Sequence, residues 1–326
     1  MSGRRSFVAG LAGALLVPRA VAQAPAVVCY LALATRQADV GGVAAFREAM
    51  HDLGQVEGRT YRLAELYADG QYNRAEELLR RQLERPVNVF LAPGPASARL
   101  VLGITRTVPI VSVGLHPRGG QTDLFASLAK PGGMVTGVSN FGEELAAKRV
   151  QLLKEMMPAL NSVGVLHNAT DRVYQRWGEE TEAELRGQGL ATMRLGLTSP
   201  SLDALAQSLR GARAAGVQAL VVVRDFLTST LYQPISKVSR DLKLATMAEE
   251  RRYPDAGALM SYGVGDRDQF GRAAGYVDRI LKGARPADLP IEQPTRFELV
   301  VNAGTARALG LRIPTALRVR ADAVLE

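Results

Sequence analysis

The chain has 326 residues, 47% of them hydrophobic, enough for two domains of roughly 100 to 200 residues each with substantial cores. Its formal charge of +8 includes Arg4, Arg5 and Arg19; the other lysines and arginines are spread along the chain and only 6% of residues are aromatic, so the basic, aromatic-studded surface of a nucleic-acid binder is absent. A single cysteine, Cys29, excludes an internal disulfide, and three scattered histidines, His51, His116 and His167, with no Cys or Glu at ligand spacing, point away from a metal site.

The opening stretch MSGRRSFVAGLAGALLVPRAVAQAP reads as a secretory signal. Arg4 and Arg5 supply the positive start, residues 7–17 the apolar run, and Ala20, Ala22 and Ala24 the small residues for cleavage after residue 22. A spanning helix needs about 20 apolar residues, and this run is shorter and ends at Pro18-Arg19. The paired arginines before Ser6-Phe7-Val8 resemble a twin-arginine export signal, with ordinary secretion the alternative. The mature chain is therefore expected in the periplasm. Cys29 follows Ala26-Val27-Val28, which is not a lipoprotein signal, and is expected to be a buried strand residue.

Strands and helices then alternate. Short apolar strands are expected over 27–34, 61–67, 87–92 and 108–113, with helices over 43–53, carrying Phe46, Met50 and Leu53 on one face, and over 74–83, capped by Asn73. From Ser139 the alternation restarts: helix 143–157, strand 162–167, helix 174–186, strand 193–197, helix 202–215 and strand 219–223. Strand 258–262 and helix 268–282 follow, the helix with Phe270, Ala274, Val277 and Leu281 on one face. Pro286, Pro290 and Pro294 fit neither a helix interior nor a central strand, so ARPADLPIEQP reads as an extended surface segment before a strand at 299–302 and terminal helices. This pattern predicts two α/β lobes built on parallel sheets.

No G-x-S-x-G elbow, no P-loop and, in the first strand-to-helix turn, no G-x-G-x-x-G fingerprint occurs. The acidic pairs Glu249-Glu250 and Asp266/Asp268 read as turn and cap residues, and no nucleophile has a base. What remains is a set of small and polar residues at strand ends, where open α/β sheets bind ligands. Gly94, Pro95, Ala96 and Ser97 open a helix whose backbone N–H groups could receive a carboxylate, although a plain helix start fits them too. Ser139 and Asn140, then His167, Asn168 and Thr170, then Asp225, Thr228 and Ser229 occupy further strand ends, where such residues also cap helices. Tyr262 sits at a change of lobe, able to line a cleft or pack in a core.

Longer segments carry a resemblance. AFREAMHDLGQVEGRTYRL, ASLAKPGGMVTGVSN, KRVQLLKEMMPALNSVGVLHN, LMSYGVG and RAAGYVDRILKGARPADLPIEQPTRFELVVNAGTARALGLRIP, ordered over almost the entire mature chain, resemble the ABC transporter substrate-binding proteins of the tryptophan/tyrosine-binding type. The resemblance implies an α/β fold of periplasmic-binding-protein type I: two Rossmann-like lobes with parallel sheets joined by a hinge of three crossovers. With the signal at 1–22, one lobe is expected to comprise 23–138 plus about 263–295 and the other 139–262 plus about 296–326. It further implies a monomer without cofactor or catalytic cluster, which captures a small molecule, an amino acid or related small carboxylate, between the lobes and hands it to an ABC importer permease.

The family's ligand loops match Ser97, Ser139, Asn140, Asn168, Asp225 with Thr228, and Tyr262. Hydroxyls and backbone N–H groups would hold a carboxylate and Asp225 an ammonium. Gly94-Pro95-Ala96 stands where the family commonly reads Gly-Thr-Pro, and Gly114-Leu115-His116-Pro117, followed by Arg118, where it commonly reads Val-Gly-Asp-Pro. His116 becomes a candidate contact and an anionic ligand an alternative. Two other readings stay open. An exported sensor would differ in its membrane partner, and a Rossmann-type transferase or isomerase would turn its solute over.

Overall fold

The computed structural model describes residues 24–116, 123–140 and 142–326, with the side chains of 142–144 outside the description. The export signal and the altered loop residues from Pro117 onward therefore lie outside the described residues. The chain starts β1 (Ala26–Ala32), α1 (Arg36–Asp52), β2 (Tyr61–Tyr67), α2 (Tyr72–Leu83), β3 (Val89–Ala92), α3 (Pro95–Ile104), β4 (Ile110–Leu115) and β5 (Val135–Ser139). These five strands form one parallel sheet in the order 2-1-3-4-5.

The chain crosses to a second body through α4 (Gly142–Met156), β6 (Ser162–Asn168), α5 (Arg172–Gly187), β7 (Ala191–Leu197), α6 (Leu202–Ala214), β8 (Ala219–Val222), α7 (Phe226–Thr230), α8 (Tyr232–Asp241), β9 (Ala245–Ala248), α9 (Arg252–Asp255) and β10 (Met260–Gly263). It returns to the first lobe for α10 (Asp266–Leu281), then goes back for β11 (Glu298–Asn302), α11 (Ala303–Ala308), α12 (Thr315–Arg320) and β12 (Ala323–Leu325). The second sheet runs 12-11-10-9-8-6-7, parallel except between β10 and β11. This is the expected two-lobed α/β architecture.

Strand alternation explains the layers. In β1, Val28, Tyr30 and Ala32 pack toward α1 and α10, while Cys29 and Leu31 pack on the opposite face with Leu79, Ala98 and Val101. Burial pushes the Cys29 thiol up to about 12, as expected for an inert core residue. The return of α10 depends on α1. Val43, Phe46 and Met50 meet Phe270, Ala273, Ala274 and Val277 in one core, and a Cβ at Gly42 would stand 2.4 Å from the Phe270 ring.

That contact corrects one sequence reading. Helix α1 runs through Gly41-Gly42 from Arg36, capped by Thr35, because the glycines admit Phe270 instead of breaking the helix. Asn73 is not a cap either: α2 begins at Tyr72, with Gln71 before it and no side-chain cap bond. Strands β5, β9 and β12 and helices α7 to α9 were not legible, being four to ten residues long or, for β12, three. The proline-rich connection is not wholly a surface segment. Pro286, Ile291 and Pro294 are buried, and Glu292 lies beside the edge strand β5, accepting from the Ser139 N–H and donating to the Gly137 carbonyl. An unpaired sheet edge needs such a cover.

Gly137 makes the β4–β5 approach possible. Its φ is +139°, and a Cβ there would lie 2.0 Å from the Ser112 carbonyl oxygen, where the β4–β5 register shifts. Gly137→Ala is expected to lose roughly 3 kcal/mol of stability or more in urea denaturation. An unchanged midpoint would mean that the two strands can part locally at no cost.

Candidate functional site

The C-terminal ends of both sheets face each other across a cleft, the place where open α/β sheets bind ligands. The first lobe contributes the turn after β1, with Leu33 and Ala34, the start of α3, Gly114 of β4, and Asn140 after β5. The second contributes Tyr174 and Trp177 of α5, Arg224, Asp225 and Phe226 around the start of α7, and Glu250 and Arg252 around α9. The lobes are in contact, leaving about 40 Å³ between them. That is far below the roughly 300 Å³ of a small-molecule site, so the cleft is closed in this arrangement.

Gly94, Pro95, Ala96, Ser97, Asn140 and Asp225 all line this cleft. His116 and Asn140 line an adjoining chamber of about 190 Å³, with Trp177, Glu180, Glu184 and Glu249. The His116 ring lies 4.5 Å from that of Trp177. Four of the residues matched to the family's ligand loops line neither space. Ser139 is fully buried in the first crossing, and Asn168 uses its Oδ1 to accept from the Thr170 N–H and hydroxyl. Thr228 closes a capping box with Asp225. Tyr262 packs its ring on Phe297, while its carbonyl accepts from Arg149 Nε at 2.8 Å.

Asp225 lines the cleft, but its oxygens are spent on the backbone. Oδ1 accepts from the N–H groups of Leu227 at 2.6 Å and Thr228 at 3.1 Å, and Oδ2 from that of Asn168 at 3.1 Å. Burial pushes its carboxyl up to about 7 against the pull of these bonds. It fixes the start of α7 and ties it to the end of β6.

The acid with capacity to spare is Asp39 of α1, which sequence reasoning missed. Its Oδ2 and the neighbouring Tyr30 hydroxyl are buried without a hydrogen bond of good geometry. Burial pushes its carboxyl up to about 7, against the pull of Arg252 and helped by Glu250 and Asp266. Also missed are Arg224 and Arg252, which meet on Glu250 Oε1 at 3.1 and 2.6 Å, with the Ser229 hydroxyl 3.3 Å from Oε2. Burial would raise Glu250, but the two arginines hold it below its ordinary value.

Arg252 reaches across the cleft, donating to the Ala38 carbonyl, with Asp39 and Asp266 each 3.9 Å away. Tyr72 and Arg99 of the first lobe meet Asp171 of the second at 2.9 and 3.2 Å. The Tyr174 hydroxyl stands at the start of α3, 3.9 Å from where a Cβ on Gly94 would lie, so a phenol oxygen is near the place where a carboxylate is expected. Tyr174 lies edge-on to Trp177 at 5.2 Å and 6.1 Å from Phe226, forming an aromatic wall. Two aromatics in the opening turns of a helix that follows a strand end were the signal available in the sequence.

Residues 26–325 match the family described as ABC transporter substrate binding protein. A tyrosine-binding protein of Clostridioides difficile (strain R20291) is 23% identical over 269 residues, covering 82% of this chain and 76% of that protein. The structure of an ABC domain from Streptococcus pneumoniae in complex with L-Trp is 20% identical with a TM-score of 0.84, covering 92% of this chain and 100% of the other. The ligand-free, open structure of a substrate-binding protein with adhesive properties from Clostridium difficile is also 20% identical, covering 92% and 99%, but with a TM-score of 0.63. The likeness in fold is to two-lobed binding proteins of type I, and the family match runs over nearly all the described residues: the chain belongs to the ABC transporter substrate binding protein family.

Proposed function

We propose that the chain is exported with residues 1–22 removed and works as a periplasmic monomer, capturing an aromatic amino acid and delivering it unchanged to an ABC importer permease. Lobes 23–138 with about 263–295, and 139–262 with about 296–326, would move as rigid bodies about the three crossings. Among the described residues no helix is long and apolar enough to cross a membrane. The relatives that bind tyrosine or L-Trp support the ligand class, and the higher TM-score to the L-Trp complex than to the open structure supports a closed, ligand-retaining arrangement.

The observation that carries the reading is Asp39. It is a buried carboxylate with an uncommitted oxygen in a cleft that also holds the start of α3, Ser97 and an aromatic wall. In the open form the ligand's ammonium would pair with Asp39. Its carboxylate would accept from backbone N–H groups at the start of α3, and its ring would lie against Trp177 and Phe226. A dissociation constant near 1 μM corresponds to about 8 kcal/mol, within reach of two charge-assisted contacts and one buried ring.

Calorimetry with L-tyrosine, L-tryptophan, tryptamine and indole-3-propionate tests this. The two amino acids are expected to bind, and the analogues lacking the carboxylate or the ammonium to bind at least roughly tenfold more weakly. Asp39→Asn should weaken amino-acid binding by about tenfold or more while leaving the protein folded. Asp225→Ala should instead cost roughly 2 kcal/mol of stability through the lost cap. A selective loss of binding in Asp225→Ala with unchanged stability would restore Asp225 as the ammonium anchor and sink the Asp39 assignment.

The pH dependence follows from the Asp39 carboxyl lying at about 7. An ammonium needs the ionised form, which is the minority below that value, so affinity should rise about tenfold from pH 6 to pH 8. Asp39→Asn should flatten this rise. A slope that persists in the variant would assign the titration to another group.

A further inference from the structure

All five strands of the first sheet begin at the end of the lobe opposite the ligand cleft. Residues leading into them, among them Pro25, Thr60, Asn88, Pro109 and Met134, wall a concavity of about 1570 Å³. Six cationic side chains line it, Arg59, Arg62, Arg85, Arg106, Lys282 and Arg285, against a single acid, Asp123. Lys282 and Arg285 pair with Asp278 and Asp288, but Arg59, Arg62, Arg85 and Arg106 are exposed and, among the described residues, form no ion pair. Arginines elsewhere on the same lobe do find acids, as Arg80 does with Glu76 and Arg81 with Glu77. Like charge gathered without counter-charge repels itself, and nothing in the fold requires these four residues to be basic.

We propose that this face docks on an anionic lipid bilayer. Two observations favour a bilayer over a single bound anion. The unpaired arginines stand at β2 (Arg59 and Arg62), before β3 (Arg85) and before β4 (Arg106), and with sheet order 2-1-3-4 they span three strand spacings, about 14 Å. That width suits several headgroups and exceeds one phosphate. The second observation is continuity of the chain. Ala24 is on the rim of the concavity, and only residues 18–23 separate it from the apolar run 7–17. Before residues 1–22 are removed, with that run in the membrane, six residues hold this face no more than about 20 Å from the headgroups, so it meets the bilayer surface first. Each basic group at an anionic surface strengthens binding about fivefold. The ligand cleft is at the other end of the strands, roughly 20 Å away, and stays open to solute.

Flotation of the mature chain, from residue 23, with vesicles of phosphatidylcholine, with and without about 30% phosphatidylglycerol, tests the proposal. The anionic vesicles are expected to bind at least about tenfold more tightly, and 0.5 M salt, which shortens the Debye length to roughly 4 Å, should remove the difference. The Arg59→Glu/Arg85→Glu/Arg106→Glu variant should lose most of it, whereas lysine at the same three positions should keep it. Equal binding of the glutamate variant to anionic vesicles overturns the proposal. So does competition by millimolar inorganic phosphate, which would assign the concavity to a free anion. L-Tyrosine binding by the same variants, measured in parallel, reports on folding and keeps failure here distinct from failure of the amino-acid reading.

Discussion

Glu250 is almost fully buried, with two guanidiniums on one of its oxygens, and the closure of the lobes follows from how that charge is balanced. A buried carboxylate stripped of its partners costs several kcal/mol, so Arg224 and Arg252 are held where Glu250 puts them. Once placed, Arg252 has donors left over, and they point into the first lobe at Ala38 and Asp39, while Arg224 reaches Gln269 of α10. The second lobe thus presents a preformed cationic probe to the first. In this closed arrangement Arg252 and Asp39 are buried together, while the Asp266 side chain keeps 32% of its surface exposed. The cost of desolvating the cluster is therefore set against its pairing.

The probe finds its target only because the first lobe is built from distant parts of the chain. Ala38 and Asp39 lie in the first turn of α1, and Gln269 and Asp266 in the first turns of α10, a helix some two hundred residues later in sequence. Gly42 lets α10 lie close enough for both turns to present polar groups to the cleft. The crossings matter in the same way. Glu292 bonds to the backbone on either side of Val138, so the last strand of the first sheet and the third crossing are one unit at the hinge, with Asn140 beside it. Asn140, a cleft residue, is thus the immediate neighbour in sequence of a backbone group held by that joint.

This organisation also explains what could be read from residues alone. Buried parallel strands such as β1 and β6 are continuous apolar runs, and their positions were evident to within two residues. Strand ends were evident too, which is why Gly94 to Ser97, Asn140 and Asp225 fall at the cleft. Role was harder to read than place. An Asp at a strand end before a helix is equally a ligand group and a cap, and only the three backbone N–H groups converging on Asp225 separate the two. Asp39, Glu250 and Arg252 have no local signature, because each resembles a surface charge on a helix until a partner from the other lobe buries it.

Selectivity has a physical source in what the closed cleft leaves unmatched. Trp177 Nε1, a donor, and Asn140 Oδ1, an acceptor, are buried and have no hydrogen-bond partner among the described residues, and both residues line the cleft and the chamber beyond it. An apolar group placed against them leaves both unmet, at a cost of roughly 1–3 kcal/mol each. A group that donates and accepts meets both, as a phenol hydroxyl does, whereas an indole N–H can serve only the acceptor. For the aromatic amino acid proposed above, the wall would accept either ring, and this pair of buried polar atoms would rank one ring above the other, because a site holding unpaired hydrogen-bonding groups discriminates more sharply than an apolar one.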